Sequence, residues 1–367
     1  MTLRDVFDEY IKLIHSMAYE KSKSIGKIID EPSFISSFVE NHKTLEELLN
    51  KNHSQKYYII DAVYTHQTPK VTPTKSKISV EIADLLIINT HHSASQPNTV
   101  GNAMLFQAKR HSSPKTGSLA AENEKTQFHL YKEWPTFTFK TRKLHFNGPG
   151  CQWNFNLKKD TDLEHSKYIV IYDDTISTNQ PGELCQQFIN AKFIDNSPWN
   201  SSACEGSKNQ PSQGLTCEES FSATLEKIIS GTNGRHFDTS ENVANDHWSN
   251  FIQRMMELAV GGVYTYNLIR QDIKKRNRFS KISSSFLYNT AELVLRHEIN
   301  EILNLTNYSI ENKPWFYYTN IVLDSMNSSN SMPPPVIDDD IAVMMPPSHP
   351  PMLIINSFDK EELDRNE

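Results

Sequence analysis

The sequence predicts an α/β protein, a sheet flanked by helices, on three observations. The first fifty residues carry helical apolar spacing, and residues 57–109 hold β-rich runs separated by turn residues. A helix-forming stretch over 120–134 then stands before two further β-rich runs. At 367 residues the chain has room for two domains, or for one domain with long insertions. Aromatic residues make up 10% of it, enough to fill a sizeable core.

Taken in order, Val6, Tyr10, Leu13, Ile14 and Met17 follow the three-to-four spacing of one buried helix face. Tyr57–Tyr64 (YYIIDAVY) reads as a strand, followed by a loop with Pro69 and Pro73. Ile78–Asn89 (ISVEIADLLIIN) reads as a second strand, and its unbroken apolar end predicts a central position. The polar run HHSASQPNTVGN is expected to be a turn or loop, with Ala103–Lys109 (AMLFQAK) returning antiparallel to the second strand. A Ser/Pro/Lys/Gly loop leads into a helix over Ala120–Trp134, and strands are expected at Phe137–Phe139 and Tyr168–Tyr172.

Ser177–Thr216 is rich in Ser, Asn, Gln, Pro and Gly and reads as a long loop. Helices are expected at Glu218–Ser230, Asn242–Ala259 and Phe286–Leu303, and an aromatic strand at Trp315–Leu323. From Asn327 the chain is proline-rich and acidic, which predicts a tail that is unstructured or laid along a surface. Met352, Leu353, Ile354 and Ile355 could alternatively pack as a strand. The expected division is a core over 1–175, a polar insertion over 176–217, a mainly helical extension over 218–326 and the tail over 327–367.

The N-terminus bears charges every few residues with no apolar run ahead of a cleavage site, and no stretch reaches the ~18 apolar residues of a membrane span. A soluble, cytoplasmic protein is expected. Cys151, Cys185, Cys204 and Cys217 form no CxxC pair, so reduced thiols are expected. The net charge of −7 hides an asymmetry. Residues 109–143 hold eight Lys or Arg against three Glu, residues 270–281 six against one Asp, and the last thirty-one residues eight acids against two bases. Binding of a polyanion is therefore compatible with the negative sum.

Several common catalytic motifs are absent. There is no GxxxxGK[ST] loop, no GxGxxG opening a helix and no GxSxG elbow. His297-Glu298-Ile299-Asn300-Glu301 misses HExxH at its last position, and His91-His92 lies in a polar run. The informative stretch is Glu81-Ile82-Ala83-Asp84, followed twenty-three residues after Asp84 by Gln107-Ala108-Lys109. Ionisable groups are costly within runs of Leu, Ile, Met and Phe unless they are paired or used. Gln107 and Lys109 are two apart and share a strand face, and a hairpin lets Asp84 face both. An acidic oxygen, an amide oxygen and an ammonium around one point suit a hard cation and a water molecule.

These residues resemble the PD-(D/E)XK, or restriction-endonuclease-like, nucleases in the variant whose second motif is QxK. The resemblance covers roughly residues 1–175. It extends to the next helix, where Gln127-Phe128-His129-Leu130-Tyr131 fits the QxxxY motif of RecB-like exonucleases, both residues on one face. The resemblance implies a restriction-endonuclease-like mixed sheet flanked by helices and a metal-dependent phosphodiester hydrolase, with Mg2+ or Mn2+ as cofactor. DNA is the expected partner, in a setting similar in kind to prokaryotic restriction or phage defence. It implies Asp84 and Gln107 as metal ligands and Lys109 as the group that orients water or stabilises charge on the phosphate; Ala108 and Glu81 are added as candidates for the metal set. Gln127 and Tyr131 are implied to line the same cleft.

Gln107 stands where a carboxylate is usual, so a further acid is needed to hold a cation. Glu81, three residues from Asp84, falls on the opposite face of a regular strand and can contribute only if the strand is bulged or begins after it. Glu9, Glu20 and Glu40 on the N-terminal helices are the other candidates. Two alternatives remain: a core salt bridge between Asp84 and Lys109 with Gln127 and Tyr131 as ordinary helix positions, and a catalytically inactive nucleic-acid-binding or assembly protein of the same fold; a tail that recruits a protein partner is compatible with the nuclease and with the inactive protein. An oligomer is compatible with all of them.

Overall fold

The computed structural model describes residues 1–24, 28–53, 55–63, 69–93, 96–140, 152–155, 164–173, 194–204, 212, 214–238, 246–260, 264–266, 279–281 and 350–359. Its helices are α1 (Leu3–Ser24), α2 (Glu31–Glu40), α3 (His42–Asn52), α4 (Glu122–Glu133), α5 (Phe221–Ile229) and α6 (His247–Val260). The strands before α4 are β1 (Lys56–Val63), β2 (Lys70–Pro73), β3 (Val80–Glu81), β4 (Leu85–Ser93), β5 (Gln96–His111) and β6 (Thr116–Gly117). Those after it are β7 (Phe137–Phe139), β8 (Ser166–Tyr172), β9 (Trp199–Ala203), β10 (Leu215–Thr216), β11 (Glu219–Ser220) and β12 (Arg235–Phe237). β13 (Tyr264–Tyr266) pairs with β14 (Phe279–Lys281), and β15 (Met352–Asp359) is the last strand among the described residues.

A mixed eight-stranded sheet runs β1-β15-β4-β5-β8-β9-β11, with β12 beside the early part of β5. β4 and β5 are antiparallel, whereas β15 with β4 and β5 with β8 are parallel. Period-two alternation divides the side chains between two cores. Leu85, Ile87, Met104, Phe106 and Ala108 face α1, α2, α3 and α5. Leu86, Ile88, Ala103 and Leu105 face α4, α6 and the small β3-β2-β7 sheet. The fold is thus an α/β sandwich with helices on both faces of a mixed sheet, as the sequence predicts.

Local chemistry explains the elements that frame the sheet. α1 buries Val6, Phe7, Tyr10, Ile11, Ile14 and Ala18, while Leu13 is 41% exposed, so its seam is rotated slightly from the expected one. α2 starts where the Asp30 side chain accepts from the Ser33 N–H at 3.0 Å, with Pro32 in the first turn. α3 covers the outer edge of β1. The Asn50 side chain bonds both the N–H and the C=O of Tyr58 at 2.8 Å, and Glu46 accepts from the Ile60 N–H at 2.6 Å. These side chains satisfy backbone groups that a bare edge would leave open.

Four expectations are corrected. The run expected as a loop at HHSASQPNTVGN is mostly ladder, because β4 continues to Ser93 and β5 starts at Gln96. Gly101 lies there beneath Phe237, where a Cβ would sit 2.4 Å from the ring. The expected strand Ile78–Asn89 is two strands, broken at residues 82–84. The expected long loop 177–216 contains β9 and β10. β9 escapes a hydrophobicity reading because Asn200, Ser201 and Ser202 are buried and held by side-chain hydrogen bonds, among them Ser202 Oγ to Thr216 O at 2.8 Å.

For the acidic tail the unstructured or surface-laid reading is corrected over residues 352–359, and the alternative strand is the one observed. Residues 352–359 lie inside the sheet, between β1 and β4, with Met352, Leu353 and Ile355 fully buried. The expected helix at 286–303, the strand at 315–323 and residues 327–349 lie outside the described residues. Among the described residues no helix is long and apolar enough to cross a membrane.

Candidate functional site

The break before β4 builds the site. Residues 82–84 leave the small sheet and dock on β5 through the Asp84 N–H, which donates to the Phe106 carbonyl at 2.8 Å. Leu85 then pairs with Phe106, so Asp84 stands opposite Gln107. Alternation along β5 turns Gln107 and Lys109 to the α4 side, the side Asp84 faces. Asp84 Oδ2 accepts from the Ala108 N–H at 2.8 Å and from the Gln107 side-chain amide. Ala108, expected in the metal set, is thus seen supplying a backbone donor to Asp84.

α4 closes over this loop. Gln127 Nε2 donates to the Glu81 carbonyl at 2.9 Å and to Gln107 Oε1, and the Tyr131 hydroxyl donates to the Ile82 carbonyl at 2.8 Å. The two residues, one helical turn apart, fasten the irregular 81–84 backbone, which has few ladder bonds of its own. Tyr131 is fully buried against Trp134 and Tyr168, so it supports the site from below rather than lining a cleft. Glu124, on the first turn of α4, accepts from the Ala120 and Ala121 N–H groups at 2.9 Å and pairs with Lys109 at 3.0 Å.

The electrostatics are those of crowded acids around one lysine. Burial, then the charges of Glu81 and Glu31, push the Asp84 carboxyl well above the usual carboxylate range, and Lys109 and the Ala108 N–H only partly offset this. Burial also raises Glu81, against the pull of Lys70, its hydrogen bond to Asp84 and Lys109. A bound cation would relieve this repulsion. Burial works to lower Lys109, but Glu31, Asp84 and Glu124 overcome it and hold the ammonium charged.

Asp84, Gln107, Lys109, Glu81, Gln127 and Tyr131, all named from sequence, are brought together. The break at 82–84 removes the strand geometry that would have turned Glu81 away. The N-terminal acids are corrected: Glu9 and Glu20 are exposed, and Glu40 pairs with Lys21 at 3.0 Å. The helix acid that reaches this site is Glu31, whose Oε1 accepts from the Arg110 N–H at 3.0 Å and whose charge acts on Asp84 and Lys109. Its signal was present in Asp30-Glu31-Pro32, a capping residue, an acid and a proline at a helix start.

Oxygens of Asp84 and Gln107, with Glu81 and Glu31 nearby, are the donors available to a hard cation. Among the described residues, no group of three or more His, Cys, Asp or Glu could hold a metal ion. Cys204 and Cys217 are buried and not in a disulfide, and burial pushes the Cys217 thiol up to about 12, which disfavours its nucleophilic thiolate. Of the first basic stretch, Lys109 and Arg110 are turned into ion pairs and Lys125 pairs with Glu122 at 3.3 Å. The side chains of 270–281 lie outside the described residues. No family model, curated protein or solved structure matches this chain.

Proposed function

We propose that the chain is a metal-dependent nuclease with a restriction-endonuclease-like core, hydrolysing phosphodiester bonds of DNA. The observation that carries the reading is the convergence of Asp84, Gln107 and Lys109 on one face of adjacent strands, with Gln127 and Tyr131 fastening the loop that bears Asp84. Asp84 and Gln107 would hold Mg2+ or Mn2+, with Glu81 and Glu31 as the acids that compensate for an amide in place of a carboxylate. The cation, when bound, supplies Lewis-acid polarisation of the scissile phosphate. Lys109, held charged, orients the attacking water and balances charge that develops on the phosphate. Glu124 keeps its ammonium in place. A cytoplasmic role in restriction or phage defence accords with this chemistry.

A second reading, a catalytically inactive nucleic-acid-binding or assembly protein, is favoured by one observation. Asp84, Gln107, Gln127, Lys109 and Glu124 satisfy one another within the protein. The two separate on incubation of plasmid, single-stranded DNA and RNA with Mg2+ or Mn2+. Cleavage by the wild type that disappears in Asp84→Asn and Lys109→Ala supports the nuclease. Binding without cleavage in both metals would establish the second reading.

A further inference from the structure

We propose that Arg110 and Asp173, braced by Tyr19, are positioning residues that hold Glu31 at the Asp84–Lys109 site. The inference rests on the metal-dependent reading above. Arg110 follows Lys109 on β5, so the two side chains leave on opposite faces, Lys109 toward α4 and Arg110 toward α1 and α2. One guanidinium nitrogen, Nη1, donates to Asp173 Oδ2 at 2.6 Å and to the Ile29 carbonyl at 2.5 Å. The Tyr19 hydroxyl donates to the other carboxylate oxygen of Asp173 at 2.5 Å. Asp173 has no exposed surface, and its N–H is tied to the His111 carbonyl on β5 at 3.0 Å.

The contacts converge on the start of α2. Ile29 and Glu31 flank the capping residue Asp30, and Arg110 grips both, the first through its side chain and the second through its own backbone N–H at 3.0 Å. A lysine at this position ends one bond short of Nη1, about where the guanidinium carbon lies, and would not reach the Asp173 carboxylate and the Ile29 carbonyl together. A buried ion pair needs its remaining donors satisfied, and here the bonds that do so fall on the start of α2. The added bonds to Ile29 and Glu31 fix an acid whose charge is felt by both Asp84 and Lys109.

The test uses the full chain and Mn2+ alone, with affinity read by titration of the free-ion resonance and fold by thermal melting. Arg110→Lys and Glu31→Gln are each expected to weaken Mn2+ at least tenfold. The double variant should be no weaker than Glu31→Gln, since both act through one carboxylate. Tyr19→Phe, a mild change that keeps the packing, should weaken Mn2+ less and in the same direction, and it carries the test should Arg110→Lys fail to fold. Wild-type affinity in folded Arg110→Lys, or additive losses in the double variant, would overturn the inference and leave the nuclease reading standing. So would unchanged affinity in Glu31→Gln. A wild type that binds no Mn2+ would overturn both.

Discussion

Asp84 illustrates how much one residue can be asked to bear. Its carboxyl is crowded by Glu81 and Glu31, and removing its charge should relieve the fold while disabling the chemistry. Asp84→Asn is therefore expected to melt no lower than the wild type, though cleavage is lost, and a lower melting temperature would make Asp84 a structural residue. Tyr131 carries the opposite expectation. Tyr131→Phe leaves the buried Ile82 carbonyl without its donor, which costs about 1–3 kcal/mol, and loosens the loop that bears Asp84. Unfolding in urea should register that loss, and an unchanged midpoint would show that the bond holds nothing.

His15 sets a pH dependence. The Trp199 indole N–H donates to His15 Nδ1 at 3.1 Å, which requires that nitrogen unprotonated, and burial lowers the imidazole to about 3. The unfolded chain takes up a proton near the ordinary value of about 6.5 and the folded chain does not. The stability from this group is thus complete above about 6.5 and is lost as pH falls toward 3. Asp61, raised to about 6 by burial, works the other way as pH falls from 6, so the contribution of His15 is isolated by a variant. The melting-temperature difference between wild type and His15→Gln should shrink from pH 7 to pH 4. A constant difference would exclude the linkage.

Among the elements, β15 is the one on which the sheet depends. It lies between β1 and β4 and buries Met352, Leu353, Ile354 and Ile355, each 6% exposed or less. At about 1.5–3 kcal/mol for each such side chain, its loss is comparable with the whole stability of a domain, about 5–15 kcal/mol. A chain ending at residue 349 is expected to lose its cooperative melt, and Ile355→Ala, a milder change, to cost about 2–5 kcal/mol. A truncated protein that stays soluble and melts like the wild type would refute this. The result also bears on the acidic tail, since a segment whose centre is an inner strand is not available as a whole to shield basic surface. α4 shows a second dependence at this scale, because its first turn holds Lys109 through Glu124 and its next two hold the 81–84 loop.

For the molecule as a whole, the sandwich places the helical N-terminus and the extreme C-terminal strand on one sheet, and the candidate site forms at the ends of β4 and β5 where both cores meet polar chemistry. Sequence alone determined what is local: the helix periods, the alternation of the inner strands, the shared face of Gln107 with Lys109 and that of Gln127 with Tyr131, since residues at strand and helix spacing share a face wherever the chain goes; their grouping with Asp84 was legible only through the family resemblance. Tertiary structure decided what depends on distant partners. Serines and asparagines became strand in β9 because neighbouring side chains and backbone satisfy them, Glu81 turned toward Asp84 because packing by α4 allows the strand to break, and Glu31 was chosen over other helix acids because Arg110 holds the start of α2. β15 entered the sheet because pairing energy is collected across the fold, from β1 and β4 some 260–300 residues away along the chain.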